Sequence, residues 1–519
     1  MRAIRDERRR RRGRAVGPRL AALVCSLVFA CAQAQAVAEE PVKERPLVTV
    51  DLGQTVVESF MGLGIQWDPY EYRPTPEDWK VTLERLDFCR PAFFRVMWMA
   101  HPYCRGFDAD GKPKYVWEEG EAAAKEKLAP LLPILDYCQA RGIDVMLGEW
   151  GPPRGLKSED GKAVSGPGDA RWARIIADFV LYLRQTKGYT CIRLYNMMNE
   201  PNGGWMWPGG KVDYAAWAAG MRNLRQEFDA KGLAALHLVG PDNSGDWNWL
   251  DRCAKDLPKE IGAWDMHWYA MDKEVVEGRI EKLLSEKREM LAKSGPEAGA
   301  KPRFMGEAGI FEGRCNGDQQ PRVKTFVYGV LMADYAAQVA RAGWMGAVAW
   351  DLDDAMHCVN GNHRPVPPDD KTLKVWGFWN TQGHTMGHPE DEKIRPWFYT
   401  WSLMTRLFPK GSKIVQAGGP AVPAFRVLAG TDAAGKELSV MLVNDADAPR
   451  NVTVRVPGGG IKGLTRYDYF DGDRPTDENG YPAPKGKTDA DLERGVAAAL
   501  PSRGVVFLTT RMPEKPAGW

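Results

Sequence analysis

The sequence predicts an α/β fold in which a (β/α)8 barrel (a TIM barrel) is followed by a smaller, C-terminal antiparallel β-sandwich domain. Three observations support this prediction. Short apolar segments alternate with longer amphipathic segments from residue 60 to residue 405. After Pro409 the pattern changes to short alternating strands. A chain of 519 residues exceeds one ordinary domain and suits a large barrel with a smaller companion.

The barrel is predicted over residues 61–409. Eight strand candidates occur there: FMGLGIQW, PAFFRVMWM, IDVMLGEW, CIRLYNMMNE, LHLVGPD, AWDMHWYA, PRFMGEAG and MGAVAWDLD. The text between them is helical in pattern, as in EDWKVTLERLDFC and YAAWAAGMRNLRQEFDAKG, and several of these segments end in Gly. Eight β–α units describe a closed barrel with enlarged loops. An open doubly wound sheet is the alternative, but no GxGxxG follows the first strand.

The small domain is predicted over residues 410–519. Its strand candidates are AFRVLAG, ELSVMLVND, NVTVRVP, LTRYDYF and GVVFLTT, separated by Gly, Pro, Asp and Asn. The segment PLVTVDLG has the same alternation and lies in residues 37–60, before the first barrel strand. We therefore expect residues 37–60 to join the β-sandwich, which would make that domain discontinuous.

Residues 1–36 have the pattern of a signal peptide. A basic stretch, RDERRRRRGRAVGPR, precedes the apolar LAALVCSLVFACA, and the small residues AQA end at Ala36. The apolar run is shorter than the ~20 residues that a membrane span needs. Cys31 is a poor lipoprotein site because Phe29 fits that pattern badly. The sequence thus predicts a secreted or periplasmic protein with no membrane span in the mature chain.

The charge and the cysteine content argue against a nucleic-acid-binding protein and against a zinc site. The first 36 residues hold nine Arg and two acidic residues, which leaves 61 basic and 66 acidic residues and a net charge of −5 in the remainder. A mildly acidic body offers no footprint for nucleic acid. The Cys residues show no zinc spacing. One disulfide among Cys104, Cys315 and Cys358 would suit an oxidising compartment.

Acidic residues lie at the ends of the predicted strands, where a barrel of this type places its function. Glu200 ends the fourth strand and Glu307 the seventh, and these two strands face each other across the barrel mouth. Glu149, Asp242 and Asp351 end three others. Retaining glycoside hydrolysis needs two carboxyl groups ~5 Å apart, one protonated and one ionised. Glu200 and Glu307 are the best candidates for such a pair.

The motifs NEP on the fourth strand and GE on the seventh resemble the signature of the clan A retaining glycoside hydrolases. The segments VTVDLGQTVVESFMGLGIQW and WFYTWSLMTRLFPKGSKIV, with the sandwich, are most similar to families 30 and 39. The barrel also resembles the family 5 cellulase-like enzymes. The resemblance implies that Glu200 is the general acid/base and Glu307 the nucleophile. It implies a carbohydrate substrate, with no cofactor and no metal; oligomeric state is left open.

Neighbouring residues fit the same pattern and have expected tasks. Arg95 and Tyr269 are expected to donate to Glu307 and keep it ionised. Asn199 is expected to bind the sugar 2-hydroxyl. The remaining substrate-binding candidates lie at strand ends and include aromatic rings suited to stacking on sugars; they are Trp150, His267 and Trp350.

Other assignments remain open. Glu312, Asp351, Asp353 and Asp354 compete with Glu307 as nucleophile, and Glu149 is expected to be structural or to bind hydroxyls. Two long loops, NGGWMWPGGK and residues 352–394, are expected to shape the substrate site; the second holds His357, His363, His384 and His388 without a recurring metal-ligand spacing. The sequence predicts an exported retaining β-glycosidase. A barrel that binds carbohydrate without catalysis is the alternative, and a barrel lyase or isomerase would need a metal or phosphate site that the sequence does not indicate.

Overall fold

The computed structural model describes residues 45–71, 74–117, 128–203, 212–311, 319–357 and 373–511. The strands, in chain order, are β1 (Leu47–Val57), β2 (Gly62–Gln66), β3 (Phe93–Met97), β4 (Cys104–Phe107), β5 (Pro113–Tyr115), β6 (Asp144–Gly148), β7 (Ile192–Asn196), β8 (His237–Ser244), β9 (Ile261–Ala270), β10 (Arg303–Ile310), β11 (Gly346–Ala349), β12 (Lys413–Gly418), β13 (Phe425–Thr431), β14 (Leu438–Asn444), β15 (Arg450–Arg455), β16 (Leu464–Tyr469), β17 (Gly486–Thr488), β18 (Val496–Leu500) and β19 (Gly504–Thr509).

The α-helices that the structure describes lie mostly between barrel strands. They are α1 (Pro76–Cys89), α2 (Leu132–Arg141), α3 (Ala170–Leu181), α4 (Tyr214–Ala230), α5 (Asn248–Asp256), α6 (Asp272–Val276), α7 (Arg279–Lys293), α8 (Pro296–Ala300), α9 (Phe326–Arg341) and α10 (Pro396–Leu407). None of the helices in these ranges is long and apolar enough to cross a membrane.

Eight parallel strands close into a barrel in the order β2, β3, β6, β7, β8, β9, β10 and β11. These are the eight predicted segments, in sequence order, so the predicted barrel is confirmed. The barrel strands are buried along most of their length, because the layers of side chains inside the barrel and the helices outside cover both of their faces. Their carboxyl ends meet at one mouth, where a functional site is expected.

Local signals explain where two of the barrel helices begin and end. At the start of α1, Thr75 and Asp78 accept each other's backbone N–H groups at 3.2 and 2.9 Å, and Pro76 occupies the first helical turn. Helix α2 ends at Arg141 and is capped by Gly142, whose φ of 64° is left-handed and suits glycine. These helices are therefore specified by their own sequences as well as by packing.

The small domain is a nine-stranded sheet in the order β17, β16, β19, β14, β13, β12, β1, β15 and β18. All neighbouring pairs are antiparallel except β1 and β15, which run parallel. Sequence patterns identified β13, β14, β15, β16 and β19. They did not identify β12, β17 and β18, nor the β4–β5 hairpin.

Strand β1 lies inside this sheet rather than at its edge. Thr49 pairs with Gly418 of β12, and Val48 pairs with Val454 of β15 on the other side. The chain then passes directly into the first barrel strand, β2. Sequence from before and after the barrel thus builds one sheet.

Three strands of the small sheet, β13, β14 and β19, are buried on both faces. Along β14, Val440 and Leu442 belong to a core within the small domain, whereas Met441 and Val443 belong to the large core shared with the barrel. This two-sided burial gives the domain its sandwich-like character.

Polar contacts fix helix α9 against the small sheet. Arg341 donates through Nη1 to the carbonyl oxygens of Ala417 and Val427 at 2.9 and 2.8 Å. Tyr469 donates to the carbonyl of Phe326 at 2.8 Å, and a Cβ at Gly329 would lie only 2.4 Å from that tyrosine hydroxyl oxygen. Glycine is needed there because the helix and the ring approach so closely.

Candidate active site

The polar residues of the barrel mouth come from the carboxyl ends of five strands. They are Arg95 on β3, Asn199 and Glu200 after β7, Asp242 on β8, His267 and Tyr269 on β9, and Glu307 on β10. An oxygen of Glu200, a ring nitrogen of His267 and an oxygen of Glu307 lie within 4.8 Å of one another. The two carboxyl groups selected from the sequence are thus brought together.

Arg95 is the centre of the cluster and is fully buried. Its Nη1 donates to Glu307 Oε1 at 2.7 Å and to Gln66 Oε1 at 2.9 Å. Its Nη2 donates to Asn199 Oδ1 at 2.7 Å and to Asp242 Oδ2 at 3.1 Å. Burial lowers the pKa of Arg95, but the charges of Asp242 and Glu307 outweigh this and raise that pKa above its ordinary value.

Glu307 is held by two donors at its two oxygens. Arg95 donates to Oε1, and the Tyr269 hydroxyl donates to Oε2 at 2.5 Å. Burial raises the pKa of Glu307 above its ordinary value, although His267 and Arg95 act in the opposite direction. The two hydrogen bonds fix the orientation of this carboxylate, and Glu307 is only 4% exposed.

Glu200 has a left-handed backbone, with φ of 40°, which is uncommon for a residue other than glycine. Its N–H donates to the carbonyl of Asp242 at 2.9 Å, and the N–H of Asn199 donates to the carbonyl of Glu149 at 2.9 Å. These two bonds tie the end of β7 to both neighbouring strands. The turn therefore directs Glu200 into the mouth, while Asn199 accepts a hydrogen bond from Arg95.

His267 lies between carboxyl groups on both sides of its ring. Nδ1 is 2.9 Å from Glu200 Oε1 and 3.6 Å from Glu307 Oε1, and Nε2 is 3.1 Å from Asp242 Oδ1. Burial lowers the pKa of His267, but the charges of Glu307 and Asp242 outweigh it and hold that pKa well above the ordinary range. With both nitrogens protonated, the ring donates to Glu200 and Asp242 at once.

Asp242 is a member of the cluster to which the sequence had assigned no role. It accepts from Arg95, from His267 and, at 2.6 Å, from Asn196 Nδ2. Burial raises the pKa of Asp242, but Arg95 and His267 outweigh it and hold that pKa well below the ordinary range. The available signal was its position as an acidic residue near the end of the fifth barrel strand.

The predicted tryptophans lie around His357 at one side of the mouth. Trp350 stacks on His357 with ring centroids 5.4 Å apart and planes 11° apart, and Trp350 is only 4% exposed. Trp150 is half-buried and meets the same imidazole edge-on at 6.0 Å. A sugar-stacking role for either ring stays a prediction. Trp205 and Trp207, in the other long loop, lie outside the described residues.

The competing acidic residues have other partners or surroundings. Asp353 accepts from the Tyr70 hydroxyl at 3.1 Å, and Asp354 forms a buried ion pair with Arg395. Asp351 is fully buried next to them, and burial raises its pKa well above the ordinary range. Glu312 lies outside the described residues.

Glu149 is fully buried and bonded within the protein. Its Oε1 accepts the N–H of Ala100 at 2.8 Å and the hydroxyl of Tyr195 at 3.1 Å. Burial raises the pKa of Glu149 to about 8, so the group is neutral at neutral pH. These contacts fit a structural task.

The cysteine residues at strand ends and the histidine residues of the long loops form no site among the described residues. Cys104 is a free thiol, and Cys315, Cys358 and His363 lie outside the described residues, as do residues 1–36 with Cys31. His384 is exposed and His388 is half-buried. Two carboxyl–imidazole groups of the barrel mouth are compact enough to surround a cation, but the Arg95 guanidinium bonds a carboxylate of each and already supplies the positive charge. We assign no metal ligands.

Replacing Arg95 with Met is expected to lower the free energy of unfolding by about 3–5 kcal/mol, because it leaves Asp242 and Glu307 buried without their cation. Urea unfolding followed by tryptophan fluorescence measures this. Arg141→Met is the control, since Arg141 pairs with Asp87 at the surface and such pairs contribute ~0–1 kcal/mol. Equal losses in both variants would contradict the central role of Arg95.

No known family model matches the chain, and no curated protein sequence matches it. Solved structures do match. An endoxylanase of glycoside hydrolase family 30 from Clostridium papyrosolvens C71 superposes with a TM-score of 0.61 at 16% identity, over 90% of this chain and 100% of that one. A family 39 enzyme from Xanthomonas axonopodis pv. citri gives 0.59 at 16% identity, over 90% and 97%.

A conserved exported protein from Bacteroides fragilis has a TM-score of 0.63 at 13% identity, over 89% of this chain and 100% of that one. At such identities the likeness concerns the fold. Three observations indicate the same fold: the closed barrel, the side sheet with its strand from before the barrel, and these superpositions. This chain has the (β/α)8 barrel with a side β-sheet domain that is found in the clan A glycoside hydrolases of families 30 and 39.

Proposed function

We propose that this chain is an exported, retaining glycoside hydrolase that cleaves a β-linked polysaccharide or oligosaccharide. The observation that supports this most is the pair Glu200 and Glu307, whose nearest oxygens lie within 4.8 Å at the mouth of a barrel with this fold. Retaining enzymes need a separation of ~5 Å, whereas inverting enzymes need ~6.5–9.5 Å to admit a water molecule.

The surroundings of the two carboxyl groups suit different roles. Glu307 accepts from Arg95 and from Tyr269, which favours an ionised nucleophile. Glu200 lies at the tip of β7 and contacts the imidazole of His267, where it acts as general acid and then as general base. Glu307 attacks the anomeric carbon while Glu200 protonates the leaving oxygen; water activated by Glu200 then releases the sugar.

The proteins that share the fold support a choice of substrate class. The matched structures include a family 30 endoxylanase and a family 39 β-xylosidase from Caulobacter crescentus. We therefore place xylan, β-glucans, β-xylosides and β-glucosides first among the candidates. Export rests on the pattern of residues 1–36 and on the exported Bacteroides fragilis protein of the same fold.

The test is a screen of these polysaccharides and of aryl β-glycosides, followed by proton NMR of the first product formed. We expect the first-formed sugar to have the β configuration of the substrate. An α sugar appearing first would contradict the roles given to Glu200 and Glu307. Binding of a polysaccharide without release of reducing sugar would favour the carbohydrate-binding alternative.

The acidic side of the pH profile is expected to lie above the ordinary glutamate pKa of ~4.3. Glu307 must be ionised to attack, and its pKa is raised by burial, so kcat/KM falls as the pH drops through that raised value. Tyr269→Phe removes a donor to the carboxylate and should move this limb upward by roughly one pH unit.

Steady-state kinetics between about pH 3 and 9 measure both effects. Tyr335→Phe is the matched control, since it removes another buried tyrosine hydroxyl, which donates to the carbonyl of Trp268 at 3.0 Å. Its acidic limb should coincide with that of the unmodified protein. A limb that Tyr269→Phe moves downward would show that Glu307 is not the group titrating there.

A further inference from the structure

A fourth carboxyl group lies beneath the catalytic pair. Asp265 precedes His267 by two residues on β9, and residues spaced by two along a strand share a face. Asp265 is fully buried. Its Oδ1 accepts the backbone N–H of Asp242 at 2.8 Å, and its Oδ2 is 4.0 Å from Nε2 of His267.

The nucleophile strand leaves room for this group. Gly306 directly precedes Glu307 on β10, and a Cβ at Gly306 would lie 2.3 Å from Asp265 Oδ2 and 3.1 Å from His267 Nε2. Any other residue would displace the carboxyl group or the imidazole. The space that Asp265 occupies therefore depends on the absence of a side chain next to the nucleophile.

The contacts of Asp265 indicate a protonated acid. Its Oδ2 accepts no hydrogen bond from the described residues, and an ionised buried oxygen without a donor is costly. An oxygen of Asp265 and an oxygen of Asp242 lie within 4.8 Å of each other, and a proton on Asp265 allows a hydrogen bond between these two carboxyl groups. Burial and the charge of Asp242 raise the pKa of Asp265 well above its ordinary value, in the same direction.

The balance of charges in the cluster also indicates that Asp265 is protonated. The cluster contains two cations, Arg95 and the His267 imidazolium. These are matched by two anions, Asp242 and Glu307. An ionised Asp265 would add a buried charge without a partner, which is unfavourable in a barrel interior.

We propose that Asp265 is a positioning residue that acts as a protonated acid: it donates to Asp242, fixes that carboxylate, and thereby holds His267 as an imidazolium between Glu200 and Glu307. This inference rests on the glycoside hydrolase function proposed above. The imidazolium is 2.9 Å from Glu200 Oε1 and 3.6 Å from Glu307 Oε1, so it serves both catalytic groups.

The role of this imidazolium follows from where charge moves. In the first step a Glu307 oxygen bonds to the anomeric carbon, the bond from that carbon to the leaving oxygen breaks, and the Glu200 proton passes to that oxygen. Negative charge thus disappears from Glu307 and arises on Glu200. A fixed cation beside both groups stabilises the charge before and after this transfer without rearranging.

The first experiment reads the imidazole directly and needs no substrate. In protein labelled with ¹⁵N-histidine, with His267→Gln to assign the signal, we expect the His267 ring to be doubly protonated near pH 7. Asp265→Asn keeps an acceptor for the Asp242 N–H and a donor to its carboxylate, so the signature should persist. Asp265→Ala loses both the acceptor and the donor, so the pKa of His267 should move into the pH range that the NMR titration covers. A neutral His267 in Asp265→Asn would overturn the proposal.

The second experiment uses a series of aryl β-glycosides with different leaving groups. Asp265→Ala acts through His267 on Glu200, so the loss of kcat/KM should grow with leaving-group pKa to on the order of tenfold to a hundredfold. Asp265→Asn should be at least about tenfold more active than Asp265→Ala on the poorest leaving groups.

Asp334→Ala is the control, because it removes a buried acid beside Arg426, at the small sheet. Asp334→Ala should either leave kcat/KM unchanged or lower it by the same factor for all substrates. The same uniform loss in Asp265→Ala would reduce Asp265 to a structural residue and overturn the proposal. If the unmodified protein hydrolyses no glycoside, the proposed function fails, while the imidazole signals still decide the Asp265–His267 link.

Discussion

Glu307→Gln is expected to lower kcat/KM by about 10⁴-fold or more with every substrate, because the amide cannot form the glycosyl ester. The substitution keeps the size of the side chain and leaves one oxygen that can accept from Arg95, while the amide NH2 takes the place of the oxygen that accepts from Tyr269. The loss should therefore appear in kcat and not in the affinity for an unreactive substrate analogue. Mass spectrometry with a 2-fluoro glycoside should show the covalent adduct on the unmodified protein and none on this variant.

Azide separates a missing nucleophile from other defects. In Glu307→Ala, azide can enter the vacated space and attack the anomeric carbon directly, which gives a glycosyl azide of inverted configuration. Asp351→Ala is the matched control, since Asp351 also follows the end of a barrel strand and is buried. Azide rescue in the Asp351 variant, with none in the Glu307 variant, would move the nucleophile to the eighth strand.

Glu200→Gln is expected to lower kcat/KM by roughly 10²- to 10⁴-fold for substrates whose leaving group must be protonated. Dinitrophenyl glycosides need no such proton, so the glycosylation step should be affected far less with them. Hydrolysis of the intermediate still needs a base, and the covalent species should accumulate. Pre-steady-state kinetics should then show a burst of dinitrophenol.

The configuration of the glycosyl azide distinguishes the roles of the two carboxyl groups. With Glu200→Ala, azide attacks the covalent intermediate, so the glycosyl azide should retain the configuration of the substrate. Glu149→Gln is the control, because Glu149 ends the neighbouring strand β6 and bonds only within the protein in the contacts described. A retained azide from Glu307→Ala and an inverted one from Glu200→Ala would exchange the two roles.

The barrel was predictable because most of its strands contain a short apolar run that is buried on both sides. Segments such as PRFMGEAG end in Gly and a carboxylate at the mouth, and that pattern places Glu307 without any knowledge of its neighbours. Some strands of the small sheet lack such a signal. Strand β18 reads VAAAL and β17 only GKT, so pairing with β15 and β16 decides their conformation.

The positions of the candidate residues were predictable where a strand end or the resemblance to the clan indicated them. Arg95 and Tyr269 were expected to donate to Glu307, and both hydrogen bonds are present. The role of Asp242 was not expected, because it depends on Arg95 and His267, which come from different strands. Asp265 had a readable signal: Asp265, His267 and Tyr269 are spaced by two and share the inner face of β9. A search for inward polar residues along whole strands would have found it.

The position of β1 has a consequence for how this chain is made. Its partners in the sheet, β12 and β15, begin at Lys413 and Arg450, and roughly 360 residues separate β1 from the first of them. At a synthesis rate of about 5–20 residues per second, β1 waits some 20–70 seconds for a neighbour. During that interval both of its backbone edges are open to pairing with other chains.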